Sequence, residues 1–508
     1  MAPRKNKSVP DVFCAGPGSE RFMTDNDGAV IMALRLYDTG SRSKRRVEYQ
    51  GDALTIYACG ITPYSDSHIG HARQAIAFDI LVRWLRSQNV PVKYVTNFTD
   101  VSDTIIEAAE KEGVDYTVIS DRYITGYRKS MKRLNVLDAD AYPRVTESID
   151  GIISMITTLV EKGHAYQGDD GVYFEIETAP EKYGYLTGQT LEMVKSGAGG
   201  RVDDTGIGKR DHRDFALWKF EKSDGPSWES PWGRGRPGWH IECSAMVYEH
   251  FGERVDIHGG GSDLMFPHHE AEIFQSECCF GIAPFASHWM HNGMINVDGE
   301  KMSKSLGNFW TITDAIDAVG EIVLRYSLIN APYRQPIDFN EVLLKDAELN
   351  YRKLLNCILN AGGMTDGTSW EKYEKLLISE EAFVSGMNDD LNTRVAIAET
   401  QVVVKLMGQS LREQNRGLTD ACIGWLAKYA GEVLGIIPSE KEISLMMDDR
   451  AKKRSNIEKE VDDLIEQRRV ARSEKNWTEA DRIRDVIEKM GVSLQDDDNG
   501  THWQITGD

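Results

Sequence analysis

Two short strings, far apart in the chain, carry residue types that handle polyphosphates: His68-Ile69-Gly70-His71 and Lys301-Met302-Ser303-Lys304-Ser305. The first follows an apolar run and opens a helix; the second is a Lys/Ser loop after another apolar run. Imidazoles at a helix start, aided by the positive end of the helix dipole, hydrogen-bond phosphate oxygens. Two ammonium groups on a loop supply opposing charge. Together they can bracket a polyphosphate, so nucleotide activation is the leading reading. Each string also has a plainer one: a His-x-x-His pair can cap and pack a helix start, and loop lysines are commonly solvated. Gly259-Gly260-Gly261-Ser262-Asp263 adds backbone that a ligand can approach closely. Asp263 could accept hydrogen bonds from a ribose there, with a tight turn as the competing role.

A second set has the donor types of a metal site. His268 and Glu272 are four apart, just after Pro267, a residue suited to a first helical turn. That spacing puts both side chains on one face. His269 points about 100° away and is the weaker candidate. Cys59, at a strand end, and Cys243, in Trp239-His-Ile-Glu-Cys243, are the candidate thiolates. Two thiolates, an imidazole and a carboxylate form a borderline-soft tetrahedral set that suits Zn²⁺. The alternative is that both cysteines are buried and inert.

The positioning elements follow from periodicity. Leu54–Cys59 reads as a buried strand, 60–70 as a loop with Pro63, and 70–89 as a helix with Ile76, Ile80, Leu81 and Trp84 at helical spacing. After Pro91, Val92–Phe98 is a second strand. Strand, helix, strand implies a parallel sheet, whose ligands sit beyond the strands' carboxyl ends. Cys59, His68, His71 and Thr99 all fall at that edge. Thr146 is expected to cap a helix with Ile149, Ile152, Ile153, Ile156, Leu159 and Val160 on one stripe, ended by Gly163. The Gly-, Asp- and aromatic-rich stretch 165–235, with Ser196–Gly200 and Pro231–Pro237, reads as an insertion. The βα pattern resumes at Gly238. Beyond about 340 long helices take over, such as 343–359 and 395–412. The last segment shows helices at 457–474 and 478–490, a stop at Gly491, and short strands at Val492–Leu494 and Trp503–Ile505.

The expected fold class is α/β: a Rossmann-like parallel-sheet catalytic domain split by an insertion, then an α-helical bundle and a small C-terminal α+β domain. The expected divisions are a flexible N-terminal extension 1–30, first half of the sheet domain 31–150, connective insertion 151–235, second half with the lysine loop 236–335, helical bundle 336–440, and C-terminal domain 441–508.

Composition bounds the class. The 508 residues are 41% hydrophobic and 27% charged, with net charge −21. That argues against a general nucleic-acid coat, though local basic patches can still bind nucleic acid. No apolar run approaches the ~20 residues that span a membrane. The basic start Met1-Ala-Pro-Arg-Lys-Asn-Lys lacks an apolar core, so no secretory signal is expected. Seven cysteines with one adjacent pair, Cys278-Cys279, and no CxxC fit a reducing cytoplasm.

Taken together the motifs resemble class I aminoacyl-tRNA synthetases, specifically the cysteinyl-tRNA synthetase family. The matching stretches are Tyr57-Ala-Cys-Gly60, Tyr64 with His68-Ile-Gly-His-Ala-Arg73, Tyr94-Val-Thr-Asn-Phe-Thr-Asp100, and Pro237-Gly-Trp-His-Ile-Glu-Cys-Ser-Ala-Met246. They continue through Asp256–Glu270, Trp289-Met-His-Asn-Gly-Met294 and Glu300–Phe309, and the similarity runs from about residue 34 to the end. The resemblance implies one Zn²⁺ per chain on Cys59, Cys243, His268 and Glu272, taking the thiolate of substrate L-cysteine. It implies an amino-acid pocket lined by Thr99, Trp239 and His240. It implies Mg²⁺-ATP held by His68, Gly70, His71, Gly261 and Asp263, with Lys301 and Lys304 stabilising the leaving pyrophosphate. The acyl group would pass to the terminal adenosine of tRNA(Cys), the helical bundle and tail serving tRNA binding. A cytoplasmic monomer without membrane contact completes the picture.

Arg468, Arg469, Arg472, Lys475, Arg482 and Arg484 concentrate positive charge in the tail. On charge alone these are solvated faces offset by nearby acids; the resemblance makes them part of an anticodon-reading domain. Trp503 could stack on a base or pack in the small domain. One stretch departs from the family: Gly60-Ile61-Thr62-Pro63-Tyr64 stands where synthetases have Gly-Pro-Thr-Val-Tyr. That variant resembles ligases joining cysteine to glucosaminyl-inositol in mycothiol synthesis, which is the runner-up. The continuing similarity through Trp503 weighs against it. A catalytically silent RNA-binding paralogue is the third reading, opposed by the intact His and Lys pairs.

Overall fold

The computed structural model describes residues 22–24, 30–189, 208–221, 225–302, 307–364, 368–497 and 500–505. Most of 1–30, Ser196–Gly200, and Ser303, Lys304 and Ser305 lie outside the described residues. At the end of the expected N-terminal extension, Phe22–Thr24 pairs antiparallel with Val30–Met32, so that part is strand rather than irregular.

Four strands form a parallel sheet in the order Ala286–Asn292, Val255–Gly261, Leu54–Ile61, Val92–Phe98. Their near-continuous burial is what a sheet covered on both faces requires. The helix Ile69–Ser87 crosses from Leu54–Ile61 to Val92–Phe98 and buries Ile76, Phe78, Ile80, Leu81 and Trp84. The helix Glu270–Phe280 links Val255–Gly261 to Ala286–Asn292. The two crossovers therefore wind away from each other, and the central strands part at their carboxyl ends. That crevice is where doubly wound sheets bind ligands.

The stretch expected as an insertion holds its own antiparallel sheet: Ala165–Gln167, Gly171–Phe174, Phe215–Phe220 and Gly235–Pro237 in sequence order. A further small sheet joins Ile295–Val297 in parallel to Ile337–Phe339 and antiparallel to Glu300–Lys301. Thr146 does not cap the helix Ile149–Glu161. Its hydroxyl donates to Asp100 at 2.6 Å, and Ser148 occupies the cap position without a side-chain capping bond, its hydroxyl donating to Glu249 instead.

The chain divides into two compact units, Met1–Leu354 with Thr368–Ile437, and Leu355–Gly367 with Pro438–Asp508. The first includes the helices Glu374–Asn388, Thr393–Arg412 and Arg416–Leu426. In it Arg325, fully buried, donates to the Asp79 carboxylate at 2.5 Å and to the carbonyls of Leu134 and Leu434. The second unit packs a helical hairpin and the β-hairpin Val492–Asp497/Gly500–Ile505 around Val461, Ile483, Ile487 and Val492. Its first helix runs unbroken from Glu440 to Ser473, much longer than the expected 457–474. The 440–456 part lacks an apolar stripe, so periodicity does not announce it. A capping box between Ser439 and Glu442 starts it instead.

Candidate functional site

Cys59, Cys243, His268 and Glu272 converge, with ligand atoms all within 4.8 Å of one another and every residue buried. The Cys59 and Cys243 sulfurs are 3.6 Å apart, Cys59 Sγ lies 3.6 Å from Glu272 Oε1, and His268 Nε2 lies 3.1 Å from the same oxygen. Cys59 sits near the end of its strand because Gly60 lets the neighbouring strand close in; a Cβ on Gly60 would lie 1.5 Å from the Asn97 carbonyl. Cys243 is on the first turns of the helix Trp239–Phe251.

Electrostatics polarise the cluster. Burial pushes the Cys59 thiol well up, with Cys243 and Glu272 adding to it. A hydrogen bond from Cys59 pulls the Cys243 thiol down to about 6. Burial alone would discharge His268, but the Cys243 and Glu272 charges hold it up, at about 10. Burial opposes the Glu272 carboxylate too, yet His258 and His268 hold it at about 2. Without a cation the buried thiolate and carboxylate are balanced by the His268 proton; a soft cation in the same place would displace that proton and take the neutral imidazole as a donor beside them.

Two details differ from the spacing argument. The helix begins at Glu270, not at Pro267: Met265–His269 is a wider π-helical turn, and Phe266 is extended at φ −136, ψ 133. His268 and Glu272 still meet. His269, set aside on an α-helical angle, comes within 3.3 Å of Cys59 Sγ through Nε2. With His258 it completes a second set, Cys59, His258, His269 and Glu272. His269 Nδ1 is 2.7 Å from His291 Nε2, and His291 Nδ1 is 2.8 Å from the Thr39 hydroxyl. His258 and His291 escape sequence reasoning because they lie on separate strands; their only signal is a polar residue inside an apolar strand.

His68 and His71 are indeed the helix cap. The Gly70 N–H donates to His68 Nδ1 at 3.1 Å, the His68 N–H donates to His71 Nδ1 at 3.3 Å, and the rings stack 3.8 Å apart. This does not compete with phosphate binding. A ring whose Nδ1 accepts carries its proton on Nε2, so each neutral imidazole keeps a donor there. Burial, then the neighbouring His68, push His71 down to about 3, which keeps it neutral. Across the crevice, Gly261 is buried and Asp263 exposed in the turn Ser262–Leu264. Gln74, which sequence reasoning passed over, spans the gap: its Nε2 donates to the Cys59 carbonyl at 2.5 Å and its Oε1 accepts from the Gly261 N–H at 3.0 Å. Lys301 is exposed on the two-residue strand Glu300–Lys301.

A cavity of about 420 Å³ opens beside the metal-type cluster, walled by Trp239, His240, Phe215, Thr62, Tyr64 and Arg213. His240 Nδ1 lies 3.1 Å from His268 Nδ1, and the Trp239 ring sits 4.6 Å from that of His268. The Thr99 hydroxyl donates to the buried Glu242 carboxylate at 3.0 Å. Within the divergent loop, Ile61 packs in a small core with Phe98 and Ile124, while Thr62 and Tyr64 face the cavity.

In the second unit the tail arginines singled out above are paired. Arg468 and Arg472 hold Asp496, Arg469 holds Glu466, Arg482 holds Glu479 and Arg484 holds Glu488. Trp503 packs against the small core and donates through Nε1 to Asp462 at 3.2 Å. Trp477, by contrast, is 58% exposed. Among the described residues no helix is long and apolar enough to cross a membrane.

Comparison with known families and structures places the chain. Residues 46–349 match the family described as tRNA synthetases class I (C) catalytic domain, and residues 454–503 match the Cysteinyl-tRNA ligase anticodon binding domain. Relatives named cysteine–tRNA ligase include that of Pelobacter propionicus, 41% identical over 93% of this chain and 100% of the relative. Those of Synechococcus elongatus and Geobacter sulfurreducens are each 42% identical, over 94% and 93% of this chain and 100% of the relative. A Mycobacterium tuberculosis methionyl-tRNA synthetase in complex with methionyl-adenylate superposes with TM-score 0.56 at 15% identity, covering 76% of this chain and 93% of the other. A LeuRS of Agrobacterium radiobacter K84 in a ternary complex does so with TM-score 0.56 at 11% identity, covering 77% and 86%. Those two likenesses concern the fold alone. With both domains matched and such identity along nearly its whole length, the chain belongs to the cysteine–tRNA ligase family of class I aminoacyl-tRNA synthetases.

Proposed function

We propose that the chain joins L-cysteine to tRNA(Cys) in two steps at the crevice between Leu54–Ile61 and Val255–Gly261, using one Zn²⁺ held by Cys59, Cys243, His268 and Glu272. The donor set carries this reading. Bonds of about 2.0–2.3 Å give a tetrahedral ion ligand-to-ligand edges of about 3.3–3.8 Å. The separations of 3.1 and 3.6 Å are on that scale. Bound Zn²⁺ supplies a soft Lewis acid for the substrate thiolate, a place that the harder, much less acidic hydroxyl of serine does not fill. Selection of cysteine then needs no separate editing site.

The chain's own residues do the rest by placement. Thr99, Trp239 and His240 enclose the amino acid. Gly261 and Asp263 take the ribose of ATP, which arrives with Mg²⁺. The backbone at Gly70 and the Nε2–H groups of His68 and His71 meet its phosphates. As the cysteine carboxylate attacks the α-phosphorus, Lys301 and Lys304 oppose the charge building on pyrophosphate. A ribose hydroxyl of the terminal adenosine then takes the acyl group. The match of the tail to an anticodon-binding domain favours tRNA over glucosaminyl-inositol as acceptor. The six described cysteines are all free, which supports a reducing compartment such as the cytoplasm. We expect a monomer, checked by sedimentation.

The deciding experiment runs tRNA(Cys) charging beside cysteine transfer to glucosaminyl-inositol, after confirming cysteine-dependent ATP–pyrophosphate exchange. Charged tRNA is expected. Product from glucosaminyl-inositol alone would overturn the reading.

A further inference from the structure

Arg73 lies two residues beyond His71 on the same helix and is 2% exposed. Its partners are main-chain carbonyls: Met294 at 3.1 Å, Pro332 at 3.3 Å, Tyr333 at 3.4 Å, and Gln335. Among the described residues it has no ion-pair partner. Burial without a counter-charge pulls its pKa down to about 10. A guanidinium so placed is costly unless its geometry is needed.

The four carbonyls share one junction. Met294 leads into the strand Ile295–Val297, and its carbonyl also accepts from the Ile337 N–H at 3.1 Å. Pro332–Gln335 leads into the partner strand Ile337–Phe339. Ile295–Val297 pairs on its other edge with Glu300–Lys301, Asn296 opposite Lys301. The junction is tight, since a Cβ on Gly293 would lie 2.4 Å from Gln335. The far end of the lysine loop returns to the same helix start. The Ile69 N–H donates to the Trp310 carbonyl at 3.2 Å, the Ile312 N–H donates to the Ser67 carbonyl at 2.9 Å, and Phe309 meets the His68 ring edge-on at 5.3 Å. One end of the loop is thus tied to the histidine helix directly, and the other through the junction that Arg73 holds.

We propose that Arg73 is a positioning residue for adenylate formation: it locks the base of the lysine loop to the helix bearing His68 and His71, so that both motifs bracket the same phosphates. This rests on the reading of those motifs as the ATP site. The anchorage matters while pyrophosphate leaves, not when a finished adenylate is passed to tRNA. Lysine does not replace it, because an ammonium lacks the planar fork that reaches several carbonyls.

The test uses full-length Arg73→Lys, with His71→Ala as a control for the site. ATP–pyrophosphate exchange is measured against ATP concentration, transfer to tRNA is measured from preformed cysteinyl-adenylate, and melting is followed. For Arg73→Lys we expect exchange to fall about 10- to 100-fold, the scale of a 1 Å misplacement. The KM for ATP rises and transfer from adenylate keeps its rate. Gly293→Ala loosens the same junction with Arg73 intact and should give the same step-specific loss, which covers the case in which Arg73→Lys fails to fold. Equal losses in both steps, tracking the melting temperature, would overturn the proposal. So would normal exchange in either junction variant while His71→Ala is impaired. Normal exchange in His71→Ala would overturn the site reading, and the role of Arg73 with it.

Discussion

His258 Nε2 lies 2.7 Å from Glu272 Oε2, while the other carboxylate oxygen turns toward Cys59 and His268. One glutamate therefore faces two ways. His258, whose Nδ1 is 3.1 Å from the Tyr57 carbonyl, fixes which oxygen is offered to the cluster. Partners that orient a metal ligand typically contribute 10–100-fold in metal affinity. His258→Ala is expected to weaken Zn²⁺ binding by about that factor, read by competition with a chromogenic chelator. Wild-type affinity in the variant would remove His258 from the site.

Cys243→Ser replaces a soft donor with a hard one while leaving the fold's packing nearly unchanged. Most bound zinc should be lost, and cysteine-dependent exchange with it. Elemental analysis of the purified variant decides the matter: full zinc content refutes the ligand assignment.

His71 titrates at about 3, below the ordinary histidine value near 6.5. The folded state therefore disfavours the proton. Between those values the unfolded chain binds more protons, so this group's contribution to stability rises with pH across that window and is flat above about 6.5. Activation should show no ionisation from His71 between about pH 6 and 8. Nitrogen NMR of labelled histidine should find its neutral Nε2–H tautomer at pH 7, and an imidazolium there would contradict the assignment.

Asp496 sits between Arg468 and Arg472, and the Arg468 hydrogen bonds, then the charges, hold its carboxyl well below the usual range. A depressed carboxyl stabilises above its unfolded pKa near 4 and loses that contribution as pH falls through the lower folded value. Asp496→Asn should cost about 1–2 kcal/mol at pH 7, less than a fully buried pair because Asp496 stays partly exposed. The gap from wild type should shrink below about pH 4. Denaturant melts at both pH values check this; a gap that widens in acid would exclude the ion cluster as its source.

The two tail tryptophans should separate cleanly. Trp503→Ala, which empties part of a small core, should lower thermal stability. Trp477→Ala should leave stability within about 0.5 kcal/mol. If exposed Trp477 stacks on a base, its loss weakens tRNA(Cys) binding by about 1–3 kcal/mol. Titration of labelled tRNA measures it, and unchanged binding would rule out stacking by Trp477.

Much of the sheet and of the inner cluster was legible because parallel strands announce themselves as apolar runs and donor residues stand out within motifs. Leu54–Ile61 and Val92–Phe98 fall close to their expected bounds. His269 lies nearer the cluster than a 100° step implies, because that step holds only in an α-helix and Met265–His269 is wider. Gln74 and Arg73 were invisible as functional residues, since their partners are carbonyls and amides, which carry no sequence signal. The helix Glu440–Ser473 was seen only in part because its first half buries little beyond Ile443, too short a stripe for periodicity to reveal.

Cys59 and Glu272 are separated by 213 positions. A ribosome adding about 5–20 residues per second needs about 10–40 s to travel that distance. For that interval the nascent chain carries an unmatched thiol with no folded pocket around it. The four-donor cluster is therefore a late product of synthesis, complete only once the second half of the parallel sheet has been made.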